Sequence, residues 1–322
     1  GLGDVYKRQV RSWPPRRQLC GGSMHWPHWY VSSRLCSTLT SPQCATASLF
    51  FRQNNIVWIL FAVGATVLAN LERLTRPPRD SLALLRTLCR RDAQLVVLRA
   101  TAAYLVPILG FVAFLMWNQG SVVLGDREHH AMVFHLPQLG YFFAFALVFG
   151  WPVVLREIIV NGPRLVRSPA VLVGAAVATV FGLYAVHAHT YVHPFLLADN
   201  RHYTFYVWRR IINARPWARY ALVPVYVASG TIWIQALARR RSALWILGWL
   251  LATSLILVPS PLIEPRYMVV PYILMRISVD AGERCALIEI AWNALVDITT
   301  LGIFLYRPFH WAGSPELQRF MW

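Results

Sequence analysis

Residues 199–203 read Asp-Asn-Arg-His-Tyr, five polar side chains in succession in a chain whose mean hydropathy is +0.44. Two other stretches share that character. Residues 118–135, NQGSVVLGDREHHAMVFH, bring Asp126, Arg127, His129, His130 and His135 after the turn-forming Gly120 and Gly125. Residues 263–267, IEPRY, set Glu264, Arg266 and Tyr267 around Pro265. Each stretch combines a carboxylate, an arginine and a histidine or aromatic ring. Such a set can hold a phosphate through the two parallel donors of a guanidinium, position a sugar hydroxyl and assist a proton transfer. Arginine also suits a departing phosphate, because its donors meet the charge that develops as the bond breaks. Taken singly, each residue has a structural alternative. A His or Asp at a membrane interface also caps helices or bonds headgroups, Tyr203, Tyr206 and Trp208 also make an interfacial aromatic belt, and Arg209 and Arg210 also touch lipid phosphate.

The elements that must position these residues are apolar spans. The 322 residues are 57% apolar and only 14% charged, and stretches near the roughly 20-residue membrane-spanning length recur. They fall near 54–70, 95–117, 132–155, 168–189, 217–238, 243–261 and 285–306, with a shorter Pro-broken one near 267–277. Without a barrel's alternating pattern, only helices satisfy that much backbone in lipid. The expected fold class is an all-α membrane protein, a multi-span helical bundle with no fixed-period repeat.

The net charge of +17 is spread as short Arg clusters between spans. Membrane proteins fix their orientation in this way, and the pattern speaks against nucleic-acid binding. Loops 71–94, 156–167 and 239–241 carry such clusters and are expected to face the cytoplasm. Alternation then puts 118–131, 190–216 and 262–267, which hold all three polar stretches, together on the far side. Arg201, Arg209, Arg210 and Arg215 run against the charge rule there, which suggests that some of them bind an anion.

Residues 1–47 differ in character. They hold Cys20, Cys36, Cys44 and the chain's single lysine, Lys7, in a Pro-, Trp-, Ser- and Arg-rich text with neither periodicity nor a signal-peptide apolar region. GLGDVYKRQ resembles an adapter translation. The segment is expected to be disordered adapter plus out-of-frame sequence, with the true amino-terminal part missing and residues 48–322 forming the polytopic domain. The cysteines lack the paired short spacings of a zinc site, and Cys89 and Cys285 read as inert apolar residues. His129, His130 and His135 do not make a HExxH helix, so no metal is expected. A transporter would place ionisable groups at the bilayer midplane, and Arg99 and Asp297 are the clearest intramembrane charges; the polar groups instead crowd one surface, which favours an enzyme acting on a lipid-linked substrate.

The strings FRQNNIVW at 51–58, GDREHHAMVFHLPQLGYFF at 125–143, HPFLLADNRHYTFYVWRR at 193–210, EPRYMVVPYILMR at 264–276 and QRFMW at 318–322 closely resemble the terminal α-1,2-glucosyltransferases of asparagine-linked glycosylation. The resemblance runs in order from about Phe50 to Trp322. It implies a multi-span enzyme of the endoplasmic reticulum membrane with GT-C type architecture. Such an enzyme moves the third glucose from dolichyl phosphate glucose to the 2-hydroxyl on the diglucosylated, nine-mannose oligosaccharide carried by dolichyl diphosphate. It inverts the anomeric centre and needs no cofactor; its partners are those two lipid-linked substrates and membrane lipid, not nucleic acid. Carried over by matching positions, Arg201, His202 and Arg266 are phosphate or sugar binders, with Arg127, His130, His135, Asn200, Tyr203 and Glu264 completing the substrate-binding set. Enzymes of this architecture place the catalytic carboxylate in a first lumenal loop that has no counterpart here. The main base is therefore expected to be missing, with Asp126 and Asp199 as alternatives, and Asp199 equally suited to capping a helix that begins near Arg201. A non-catalytic membrane partner or regulator remains as the second class of function.

Overall fold

Proline, serine, aspartate and glycine punctuate the apolar runs and set where helices begin and end. The computed structural model describes residues 41–75, 80–122, 132–311 and 315–321. Helix α1, Pro42–Phe51, starts behind Ser41, whose hydroxyl accepts from the Cys44 N–H, and it crosses the boundary at 47 where the irregular segment was expected to end. α2 is Asn55–Leu74, and α3, Ser81–Leu88, lies within the loop expected at 71–94 and is capped by Asp80, which accepts from the Leu82 N–H at 3.0 Å.

Two of the expected spans are broken. α4, Arg91–Ala102, and α5, Leu105–Trp117, meet at 56°, because a continuous helix would require Pro107 to donate a bond to the Ala103 carbonyl. α6, Gln138–Phe149, and α7, Trp151–Leu165, meet at 88°, and residues 132–137 precede them without helix. Pro152 cannot donate to the Val148 carbonyl. That carbonyl instead accepts from the Trp292 indole at 2.9 Å, so a side chain of another helix satisfies what the proline leaves open. Gly150 makes the bend possible, since a Cβ there would meet the Trp233 ring at 2.6 Å. The segment 156–167, expected as a loop, is therefore largely the crosswise helix α7, with Leu155, Ile158 and Ile159 exposed beside Arg156 and Arg164.

α8 is Pro169–Ala188, α9 is Pro194–Ala198, and α10, Tyr203–Val207, runs into a π-helical turn at Trp208–Ile212. α11, Ala218–Ala221, and α12, Val223–Ala238, act as one apolar stretch. α13 is Ala243–Leu257, α14 is Pro265–Ile277 and α15 is Glu283–Tyr306. Strands β1, Phe309–His310, and β2, Leu317–Gln318, pair antiparallel. Among the described residues, α2, α8, the α11–α12 stretch and α15 are long and apolar enough to cross a membrane, and the two bent pairs raise the number to six. α13 and α14, expected as a span and a short broken one, have 15 and 13 residues. The fold is an all-α multi-span bundle.

α12 packs against α6 and α8, α13 against α2, and α15 against α7. Phe142, Trp233, Leu237, Trp249 and Met275 are fully buried where these helices meet. Lipid tails are as apolar as these side chains, so close packing and interhelical hydrogen bonds supply the specificity. The Trp249 indole donates to the Pro271 carbonyl at 3.1 Å, and the Ser229 hydroxyl donates to the Phe143 carbonyl at 2.8 Å.

At one end of the bundle two buried carboxylates knit helices together. Glu157 accepts from Asn161 at 2.8 Å, from Arg156 and from Arg239 of the α12–α13 turn, while Arg240 pairs with Asp280. Glu289 accepts from the Tyr272 hydroxyl and from Arg276 Nε, both at 2.6 Å. The opposite end gathers residues 132–138, 189–193 and 258–263. Residues 189–193 and 258–263 fall in or beside two of the loops assigned to the far side, while most of the 118–131 loop lies outside the described residues.

The Glu289 cluster sets a stability test. Glu289→Ala strands Arg276, only 18% exposed, and is expected to cost about 3 kcal/mol. Asp92→Ala, which breaks the exposed Arg90 pair, is expected to cost far less, because solvent screens that pair. Unfolding in detergent reads both, and equal effects would show that the Glu289 cluster does not hold α14 to α15.

Candidate functional site

Residues 132–138, 191–193 and 258–262 gather at the end away from the Glu157 and Glu289 clusters, next in sequence to the 199–203 and 263–267 polar stretches. His193 begins the second stretch: its Nδ1 accepts from the Phe195 N–H at 3.1 Å, and Pro194 opens α9. α9 ends at Ala198, and Asp199 then closes a tight turn in which its Oδ1 accepts from the Arg201 N–H at 3.0 Å. The same carboxylate takes the fork of Arg201, Nε to Oδ1 at 2.9 Å and Nη2 to Oδ2 at 2.7 Å. Asp199 does not cap the next helix, because His202 stands at the N-cap of α10. His202 Nε2 lies 3.6 Å from Asp199 Oδ2, and its ring is 39% exposed. Hydrogen bonds from the Arg201 guanidinium, and then from its backbone, hold the Asp199 carboxyl below the usual carboxylate range despite some burial. A carboxylate so engaged is a weaker proton acceptor.

Arg201 has further partners that were not foreseen. Its Nη1 donates to Gln318 Oε1 at 3.2 Å, and its guanidinium lies 5.1 Å from the centre of the Trp311 ring, whose indole in turn donates to Asn200 Oδ1. These residues come from the far end of the sequence, and nothing local in either segment announces the contact.

Residues 132–138 reach residues 191–193 through rings and residues 258–262 through hydrogen bonds. His135 lies 5.7 Å from Tyr141 and 6.4 Å from Tyr191, and Tyr191 lies 6.3 Å from His193, centre to centre. The His135 N–H donates to the Val258 carbonyl at 2.9 Å, and the Gln138 carboxamide donates to the Ser260 and Leu262 carbonyls at 3.3 and 2.8 Å. His135 is completely buried, in the non-helical segment before α6. Burial pushes its pKa down from 6.5 to about 4, offset only in part by the Ser260 backbone nearby, so the ring is neutral near pH 7. Asp126, Arg127, His129 and His130 lie outside the described residues.

In the third stretch Glu264 pairs with Arg266, whose guanidinium sits 5.4 Å from the Tyr267 ring centre. Arg52, from the turn between α1 and α2, approaches the same ring at 5.3 Å. Two cations and one carboxylate therefore surround Tyr267, leaving a surplus positive charge suited to a phosphate. Arg52 was not singled out as a site residue, because its ring partner is far along the chain. Among the described residues no hydrogen bond or ion pair joins the Asp199–His202 group to the Glu264–Arg266 group.

The buried His135 imposes a pH dependence. Its folded pKa is lowered, so the unfolded chain takes up the proton first, and stability is lost as pH falls from about 6.5 to about 4, on the order of 3 kcal/mol in all. His135→Phe is expected to flatten that slope in detergent unfolding, and an unchanged slope would assign it to other groups.

This geometry can be set beside known sequences. The sequence profile of the DIE2/ALG10 family matches residues 25–277. The human protein called Dol-P-Glc:Glc(2)Man(9)GlcNAc(2)-PP-Dol alpha-1,2-glucosyltransferase is 33% identical over 308 residues, a match covering 88% of this chain and 63% of its own length. Proteins of the same description from Drosophila melanogaster and Arabidopsis thaliana are 35% identical over 294 residues and 39% identical over 225 residues, covering 86% and 68% of this chain and 64% and 44% of theirs. No solved structure matches. The chain thus spans 63% of the human relative's length, and with the family profile covering most of its residues it belongs to the DIE2/ALG10 family.

Proposed function

We propose that this chain is the larger part of a dolichyl-phosphate-glucose-dependent glucosyltransferase, which adds an α-1,2-linked glucose to a diglucosylated oligosaccharide on dolichyl diphosphate. The observation that carries this reading is its family membership together with the activity for which relatives at 33–39% identity are named. The polar end of the bundle supports it, since both substrates are phosphorylated lipids held at a membrane surface.

A β-linked donor and an α-linked product call for one in-line displacement. The acceptor oxygen forms a bond to the anomeric carbon as the bond to the phosphate oxygen breaks; the hydroxyl proton goes to a base, and the charge stays on the departing dolichyl phosphate. Arg52 and Arg266, flanking Tyr267 with a single carboxylate beside them, supply the charge for that phosphate. His202, 3.6 Å from Asp199 and partly exposed, is assigned to meeting a sugar hydroxyl. Arg201 acts mainly within the protein, since its fork is taken by Asp199. Asp199 is assigned to holding Arg201 and His202 and not to removing the proton. The Arg239–Arg241 turn at the opposite end marks the cytoplasmic side by the positive-inside rule, which puts the polar end in the lumen of the endoplasmic reticulum.

The test is glucose transfer from dolichyl phosphate glucose to the diglucosylated acceptor in liposomes, with the complete gene product and the 322-residue chain in parallel. Arg52→Ala and Arg266→Ala are each expected to raise the donor KM about tenfold with kcat little changed. Absence of transfer by the complete gene product would overturn the reading, and an unchanged donor KM in both variants would remove Tyr267's surroundings from the phosphate site.

A further inference from the structure

The residues after α15 fold back onto the polar end. β1 pairs with β2, Phe309 opposite Gln318 and His310 opposite Leu317. The chain then runs alongside residues 201–203: the Met321 N–H donates to the Arg201 carbonyl at 2.8 Å, and the Tyr203 N–H donates to the Met321 carbonyl at 3.1 Å. These two bonds fall on either side of His202, so its backbone is fixed from both directions.

Side chains alternate along the returning segment, as they do along any strand. Gln318, 7% exposed, faces inward and accepts from Arg201. Arg319 faces the other way and donates to the Phe304 and Leu305 carbonyls at 2.6 and 2.9 Å, satisfying groups that the end of α15 leaves open. Phe320 enters an aromatic group with Phe309, Tyr206 and Tyr203, with ring centres 4.7, 5.9 and 6.4 Å away. Arg319 anchors the segment to a long helix, while Gln318, Phe320 and Met321 address the 199–206 stretch. That stretch otherwise has little regular structure of its own beyond the five-residue helix α10.

We propose that the strand pair β1–β2, with Arg319, Phe320 and Met321 after it, is a positioning clasp of the transferase site, in which Gln318 and Phe320 act through residues 199–206 to fix where His202 meets the substrate. The inference rests on the glucosyl-transfer reading. It assigns Gln318 and Phe320 an effect on turnover without contact with substrate, and it separates them from residues that merely hold the bundle together.

The test uses the complete gene product in liposomes and two readouts, transfer kinetics and backbone amide hydrogen exchange. Phe320→Ala is expected to speed exchange at residues 201–206 about tenfold or more while α13 stays protected. It is expected to lower kcat about tenfold through misplacement of His202. Phe320→Tyr, which keeps the ring stack, is expected to restore both. If Phe320→Ala also loosens α13, Gln318→Leu carries the comparison, with the same expected pattern at residues 201–206. Unchanged exchange at 201–206 would overturn the clasp, and faster exchange with unaltered kcat and KM would overturn its role in the site. An inactive wild type would instead show that the glucosyl-transfer reading itself had failed.

Discussion

A backbone group that lipid surrounds must find its hydrogen-bond partner inside the protein, and the irregular parts of this bundle are arranged around that demand. Pro152 ends α6 and leaves the Val148 carbonyl open, and the Trp292 indole fills the gap from α15. The non-helical residues before α6 lend their N–H groups to Val258 and Pro259, and Gln138 serves the carbonyls of Ser260 and Leu262. Arg319 does the same at the end of α15. These three departures from helix are thus each tied to particular neighbours, and this helps turn a set of apolar spans into one arrangement.

Arginine plays two parts that its sequence count does not separate. Arg239, Arg276 and Arg201 are spent on carboxylates within the protein, at Glu157, Glu289 and Asp199. Arg52 and Arg266 share one ring, with Glu264 paired to Arg266. An ion pair already closed at both oxygens adds order, whereas an unbalanced pair of cations can take a ligand's charge. The same division separates the two ends of the molecule, one knit by buried carboxylates and the other carrying the surplus.

Much of this was legible in the sequence. α2, α8 and α15 follow from length and hydropathy, and the three polar stretches stood out against the apolar text around them. The Asp199–Arg201 pairing is local, two positions apart, and a turn of Asp-Asn-Arg invites it. The bends were less legible: Pro107 and Pro152 show that a helix must break, but the 88° direction depends on Trp233 and Trp292, which lie 83 and more positions away from the break. The burial of His135 and the approach of Arg52 to Tyr267 are likewise products of tertiary packing. The Gln318–Arg201 bond joins residues 117 apart, and spacing alone has no means of indicating it.

α6 joins the two ends by the shortest route. Gln138 is tied to the polar end, and Phe149 leads directly into the crosswise α7 with its Arg156 and Glu157. Its 12 residues amount to a strut of about 18 Å, against a hydrocarbon layer of about 30 Å. α8 and α15, with 20 and 24 residues, are long enough to match that layer, so the bilayer keeps its thickness against them while the short, largely buried α6 leaves room for a recess inside the bundle.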